Sequence, residues 1–304
     1  MWKKLLALLF ILAVGVVLRV WLDLQTERND VSFSVQNPSS EPFQLKIAVV
    51  GDVHLQDTPI AFDDFHTILQ EIRAAKPDLV LFVGDYTENP GRVRNMVQHR
   101  LSIIRALKTV DWAPRAIVLG NYESWSNAPE WLREFNRLGV RVMENQVDVI
   151  RTPKGPICVR GFGDKYTGRF RYIDFPLQCQ DLPGLSIMHD PAGAFDHRFR
   201  GLAIAGHTHC GQGRIPFMDP IWVPSTVPPE ARCGLYRDEH RTLFVTSGIG
   251  TSLLPVRFFA PSQWDLLNII WENQATDSGA TSFEMQRRLQ TSGSPRSSLS
   301  GHRP

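Results

Sequence analysis

The chain has 304 residues, 43% of them hydrophobic and 21% charged, which is a globular composition with room for one large domain or two small ones. A formal net charge of +2, with no basic cluster interleaved with aromatics, argues against nucleic acid as a partner. The four cysteines, Cys158, Cys179, Cys210 and Cys233, are widely spaced and support neither a zinc ribbon nor a dense disulfide framework; outside the cytoplasm they allow one or two bridges.

The N-terminus departs from that average. Lys3 and Lys4 precede an apolar run from Leu5 to Leu18, and Val20-Trp21-Leu22 follows Arg19. Basic residues ahead of an apolar core mark a signal peptide or a signal anchor. With Arg19 snorkelling to the interface, the stretch to Leu24 reaches the roughly 20 residues that a bilayer core requires. No clear small-x-small cleavage site follows, so residues 1–24 read as an uncleaved, single-pass membrane anchor. Lys3 and Lys4 hold the N-terminus in the cytoplasm and send the domain outward, with Arg19 and Arg28 pulling the other way.

Residues 25–44 are polar and read as a linker with an edge strand; the globular domain then occupies 45–274. Leu45 to Val50 is a strand-like run that ends in Gly51-Asp52-Val53-His54. Phe62, Phe65, Ile68, Leu69 and Ile72 recur at helical spacing, stopped by Lys76-Pro77. Leu79 to Val83 is a second buried strand, ended by Gly84-Asp85, and Val93, Met96, Ile103, Ile104 and Leu107 allow another helix. Ala116 to Leu119 forms a third strand, ended by Gly120-Asn121. Asn127 caps a helix lined by Trp131, Leu132, Phe135 and Leu138, which Gly139 stops. Strands are expected over 140–150 and 157–160. Leu185 to Met188 runs into His189-Asp190, and Leu202 to Ala205 into Gly206-His207-Thr208-His209. From residue 275 the chain turns to Ser, Thr, Gly and Arg and reads as a disordered tail.

Five apolar runs therefore end in a glycine-plus-ligand turn or directly in a ligand residue. In open α/β sheets ligands bind beyond the carboxyl ends of the strands, so these turns can converge on one site. They collect Asp52, His54, Asp85, Asn121, His189, His207 and His209. Carboxylate, imidazole and amide oxygen suit manganese, iron or zinc. On an extended backbone His207 and His209 point to opposite sides, so two neighbouring ions take one each.

The order Gly-Asp-x-His, Gly-Asp, Gly-Asn-x-Glu, His, Gly-His-x-His resembles the calcineurin-like metallophosphoesterases over about Leu45 to Trp271. The stretch from Gly206 to Gln212, with Thr246 to Ser252, is similar to the membrane-anchored bacterial branch. Some members of that branch are assigned as UDP-2,3-diacylglucosamine hydrolases of lipid A synthesis. The resemblance implies an α/β fold, a two-sheet sandwich flanked by helices, behind the N-terminal anchor helix, with the domain periplasmic if it faces outward. It also implies two divalent metal ions: Asp52, His54 and His209 on the first, Asn121, His189 and His207 on the second, and Asp85 bridging. No Gly-x-Ser-x-Gly elbow and no P-loop spacing offers a rival chemistry.

One position departs from the family. Its third motif usually holds a histidine that contacts phosphate and assists the leaving group; this chain has Asn121-Tyr122-Glu123. A phenol donates a hydrogen bond but brings no positive charge. Tyr122 and Glu123 are taken as the catalytic pair on that basis, and Tyr122 suits pyrophosphate cleavage better than alkyl esters. The alternatives are a metal-bound, non-catalytic binding protein and a general phosphatase or phosphodiesterase. In the Pro-rich stretch 211–232, Arg214 is expected to meet substrate phosphate. Asp164 and Lys165 read as a solvated loop, and Cys210 as a small packing residue. The expected partners are a membrane lipid surface and a phosphorylated or nucleotide-linked substrate, itself a small molecule or a lipid.

Overall fold

The computed structural model describes residues 2–38, 41–215, 218, 220 and 222–272; the expected tail from 275 lies outside them. Helix α1, Trp2–Asp23, is long and apolar enough to cross a membrane. Its C-terminal end is fastened to the body of the protein. Buried Asp23 accepts hydrogen bonds from Arg19 Nε at 2.8 Å and from the Phe259 N–H at 2.7 Å, and the Arg19 guanidinium lies 4.7 Å from the Phe259 ring centroid.

Two sheets form the body. The first has the order β1 (Glu27–Gln36), β11 (Gln263–Glu272), β2 (Phe43–Val50), β3 (Leu79–Phe82), β4 (Arg115–Ile117). The second runs β5 (Gln146–Thr152), β6 (Gly155–Gly161), β7 (Gly184–Ile187), β8 (Gly201–Ala205), β10 (Arg241–Val245), β9 (Gly234–Arg237). Strands β2, β3 and β4 are mutually parallel, as are β6, β7, β8 and β10. Side chains on a strand alternate between its faces, and the cores follow that parity. Leu45, Ile47 and Val49 of β2 and Leu79 and Leu81 of β3 pack between the sheets, against Ile157, Leu185, Leu202 and Ile204. Ala48, Val50, Val80 and Phe82 face the other way, onto α2 (Pro59–Ala75), α3 (Met96–Lys108) and α5 (Ala128–Arg137), which follows the short α4 (Asn121–Trp125). Both faces of these strands are buried, which is why they read as unbroken apolar runs.

The helix ends carry the expected stops. Thr58 Oγ1 accepts from the Ala61 N–H at 3.3 Å to open α2, and Lys76 closes it in the left-handed region. Asn127 caps α5. The strand expected from 140 begins only at Gln146, because Asn145 turns left-handed and its side chain binds the 163–171 loop through Gly163 N, Arg169 O and Arg171 N. The stretch 25–44 holds β1 along its length, ten residues paired in parallel with β11. Disulfides join Cys158 to Cys179 and Cys210 to Cys233, so Cys210 is a cross-link and not a packing residue.

Asp265 on β11 is fully buried, where it accepts from Asn29 Nδ2 and Gln263 Nε2, both at 2.7 Å. Burial pushes its carboxyl up to about 6, only partly offset by Thr246, Asn29 and Gln263. A raised carboxyl pKa means that folding takes up a proton. Its contribution is therefore most favourable below the unfolded value and is lost as pH rises through 6, on the order of 3 kcal/mol in all. Asp265→Asn is expected to raise the melting temperature at about pH 8 and to give no gain at about pH 4. Thermal unfolding at the two pH values checks this, and an equal effect at both contradicts it.

Candidate metal centre

The carboxyl ends of β2, β3, β4, β7 and β8 deliver Asp52 and His54, Asp85, Asn121, His189, and His207 and His209 to one crevice, and all seven are buried. Five of them, Asp52, His54, Asp85, His207 and His209, have left-handed φ values between 47° and 70°. That conformation costs about 1–3 kcal/mol per non-glycine residue and concentrates at functional sites. The His207–His209 backbone is thus a tight turn, not the extended strand expected from its spacing. Two left-handed residues flank Thr208, and the turn sends the imidazoles to separate clusters.

The preceding glycines are there for close approach. A Cβ on Gly120 would stand 2.2 Å from Asp85 Oδ1, and one on Gly206 would stand 2.6 Å from Asp52 Oδ2. Any larger residue would push the carboxylates out of place.

Two groups of donors result: Asp52, His54 and His209, and Asp85, His189 and His207. Within each, the ligand atoms lie within 4.8 Å of one another. His54 Nε2 is 3.0 Å from His209 Nε2, and His189 Nε2 is 3.0 Å from Asn121 Oδ1 and 3.2 Å from His207 Nδ1. Asp85 Oδ2, of the second group, also faces the first: it lies 3.6 Å from His54 Nε2 and 3.3 Å from His189 Nε2.

Outer contacts aim the rings. His189 Nδ1 donates to the Val83 carbonyl at 2.8 Å and His207 Nε2 to the Pro224 carbonyl at 2.7 Å, which turns the lone pairs of His189 Nε2 and His207 Nδ1 toward each other. At that range the facing nitrogens are held together by a shared proton or by a metal cation between them. Burial pushes Asp52 up to about 7 and His54 down to about 4. Burial also lowers His189, but Asp85 and Asp52 outweigh it and hold that imidazole well above its ordinary range. The field of these carboxylates draws positive charge inward. The donor set fits two divalent ions.

Tyr122 lies at the rim of the first group. Its ring meets His54 edge-on with centroids 4.6 Å apart, its hydroxyl is 2.9 Å from Ser252 Oγ, and burial raises its pKa. Glu123, paired with it in the sequence reading, does not reach the crevice. Its carboxylate accepts four backbone N–H groups, from Asp85, Tyr86, Thr87 and Gly120, at 2.8–3.1 Å. Glu123 is therefore a positioning residue that ties the Asp85 turn to the Asn121 turn. Arg214 is also engaged elsewhere: Nη2 donates to the Met218 carbonyl at 3.1 Å and Nη1 lies 3.6 Å from Cys233 Sγ. Asp164 is buried, not solvated, and binds Thr167 N and Oγ1 at 2.9 and 2.7 Å.

Sequence reasoning missed Arg257. This guanidinium is fully buried and pushed down to about 10 by burial; it donates to the carbonyls of Ser247, Gly248 and Ala260, and Nη2 stands 3.2 Å from His209 Nδ1. It props the 246–250 turn against Asp52. No local pattern marks it, because most of its partners are groups of a turn seven to ten residues upstream.

Glu123→Gln replaces one of two acceptor oxygens with a donor and leaves buried N–H groups of the Asp85 turn unpaired. The expected loss is about 3 kcal/mol of stability together with weaker metal retention. Thermal unfolding and metal analysis check it; a variant with wild-type stability and metal content contradicts the role given to this carboxylate.

The comparisons with known proteins agree with this geometry. Residues 45–211, more than half of the chain, match the family model described as calcineurin-like phosphoesterase. The chain is 28% identical over 227 residues to YkuE of Bacillus subtilis, described as an uncharacterized metallophosphoesterase, covering 71% of this chain and 76% of that protein. It is 27% identical over 201 residues to the phosphodiesterase YaeI of Escherichia coli, covering 64% of this chain and 71% of that one. Among solved structures it is similar to the NAD nucleotidase of Haemophilus influenzae, with 15% identity, a TM-score of 0.47, and coverage of 68% of this chain and 45% of that one. With the motif order, the two-sheet fold and the paired donor groups in place, the chain belongs to the calcineurin-like phosphoesterases.

Proposed function

We propose that this chain is a membrane-tethered, dinuclear metal phosphoesterase that cleaves a phosphodiester or pyrophosphate bond. The observation that carries the reading is Asp85 Oδ2, which faces a ligand of each group at once. Asp52, His54 and His209 would hold one ion and Asn121, His189 and His207 the other, with Asp85 as a ligand within reach of both. When bound, such a pair acts as Lewis acid on the phosphate oxygens and lowers the pKa of a shared water. The protein orients the ester. Tyr122 stays protonated, since burial raises its pKa, and donates to a phosphate oxygen with Ser252 as its resting partner. A neutral phenol does not protonate a poor leaving group well, which favours pyrophosphates and aryl esters.

The membrane surface is the second part of the reading. Gln212 Nε2 donates to the Leu254 and Val256 carbonyls at 2.5 and 2.8 Å, which stitches the loop after the last histidine to the loop leading to Phe259, where α1 ends. Ile215, Trp222, Leu253, Leu254 and Val256 are exposed on these loops. An apolar collar next to a candidate membrane helix suits a lipid surface. Two disulfides suit the oxidising, outward side of the membrane. UDP-2,3-diacylglucosamine is the finer substrate reading. It is in tension with an outward domain, because that lipid is made at the cytoplasmic leaflet, so the wider class of lipid- or nucleotide-linked phosphates is preferred. Tyr122 favours one rival, a metal-bound protein that binds phosphate without turnover.

A plot of rate against leaving-group pKa separates these readings. The wild type is expected to cleave pyrophosphates and aryl esters well and alkyl esters poorly. Tyr122→His should then raise alkyl-ester hydrolysis by about 10²–10⁴-fold, and Tyr122→Phe should slow good substrates by the loss of one hydrogen bond, about 0.5–1.5 kcal/mol. A flat plot would assign the proton to another residue. No turnover of any ester by the metal-loaded protein would establish the binding protein instead.

A further inference from the structure

Two large aromatic side chains stand half exposed at the edge of the metal centre. Trp125 is 56% exposed and Tyr166 48% exposed, although each touches a buried residue of the site. The Trp125 ring lies 5.1 Å from that of Tyr122, and the Tyr166 ring 4.8 Å from that of His207. They meet each other edge to face at 6.1 Å. Together they wall a cleft of about 530 Å³, whose lining also includes Ser124, Asn127 and Thr167. The volume falls within the range of small-molecule sites.

The cleft begins one ring away from both metal groups. Tyr122 packs on His54 of the first group, and Tyr166 packs on His207 of the second. A phosphate held at the ions would leave its esterified group against the exposed faces of Trp125 and Tyr166. Exposed π surface beside hydroxyl and amide groups recognises a flat ring with polar edges, stacked on its face and hydrogen-bonded at its rim. We infer that Trp125 and Tyr166 form a stacking subsite for the nucleobase of a nucleotide-linked phosphate. The inference rests on the phosphoesterase reading, which places the phosphate. It adds the substrate class and the two residues that select it.

The test is equilibrium binding to the full-length, manganese-loaded protein by calorimetry. The ligands are non-hydrolysable phosphonate analogues of a nucleoside monophosphate, of phenyl phosphate and of ribose 5-phosphate. The nucleoside analogue is expected to bind about tenfold tighter than the ribose analogue, the gain that one stacked base provides. Trp125→Ala or Tyr166→Ala should bring that ratio close to one, and Trp125→Phe should preserve most of it. Both residues are too exposed for their removal to unmake the core. Equal affinity for nucleoside and ribose analogues overturns the subsite and leaves the phosphoesterase reading intact. Equal affinity for nucleoside and phenyl analogues overturns the nucleobase assignment in favour of any planar ring. Failure of all three to bind removes the phosphate from the metals, and both readings fall together.

Discussion

Asp85 Oδ2 lies 3.6 Å from His54 and 3.3 Å from His189, in a crevice where Asp52 is also buried. A buried carboxylate without compensation is strongly destabilising; the His189 imidazole, held well above its ordinary range, offsets Asp85, while burial still pushes Asp52 up to about 7. Two divalent cations in place of the His189 proton would neutralise both acids and take up the imidazole lone pairs, with Asp85, which faces both groups, available to each. The rest of the fold can be understood as support for that arrangement.

The support is built in layers. Parallel strands buried on both faces bring five chain segments to one edge of the molecule, and each segment turns at its end. The turns are tight enough to put five ligand residues in the left-handed region, a cost that only a rigid surrounding sustains. Glu123 supplies rigidity on one side by holding four backbone N–H groups, and Arg257 on the other by holding the carbonyls of the 246–250 turn. Neither side chain belongs to the donor groups. Glu123 fixes backbone of the Asp85 and Asn121 turns directly, and the turn held by Arg257 donates from Ile249 and Gly250 to the Gly51 and Asp52 carbonyls; the loop beyond it runs on to the apolar collar and to Asp23 at the end of α1.

The sequence made the centre legible because its signals are local. Each ligand sits just after an apolar run, usually behind a glycine, so Asp52, His54, Asp85, Asn121, His189, His207 and His209 could be collected without knowing how the strands pair. Features that depend on distant partners stayed hidden. Arg257 answers to backbone carbonyls of another turn, and the Cys210–Cys233 link joins positions with no spacing signature. Strand β11, ten residues with several of them buried, ends in no ligand turn, so no motif marks it. Adjacency in sequence alone pairs Glu123 with Tyr122. On the short helix Asn121–Trp125 those neighbours point apart, one to the rim of the site and one beneath it.

The central claim is that one carboxylate joins two ions. Elemental analysis of purified wild type and Asp85→Ala tests it most directly. The account predicts two equivalents of divalent metal per chain in the wild type and loss of both in the variant, because each half-site keeps too few donors without the shared oxygen. A variant that still holds two equivalents would contradict the dinuclear centre.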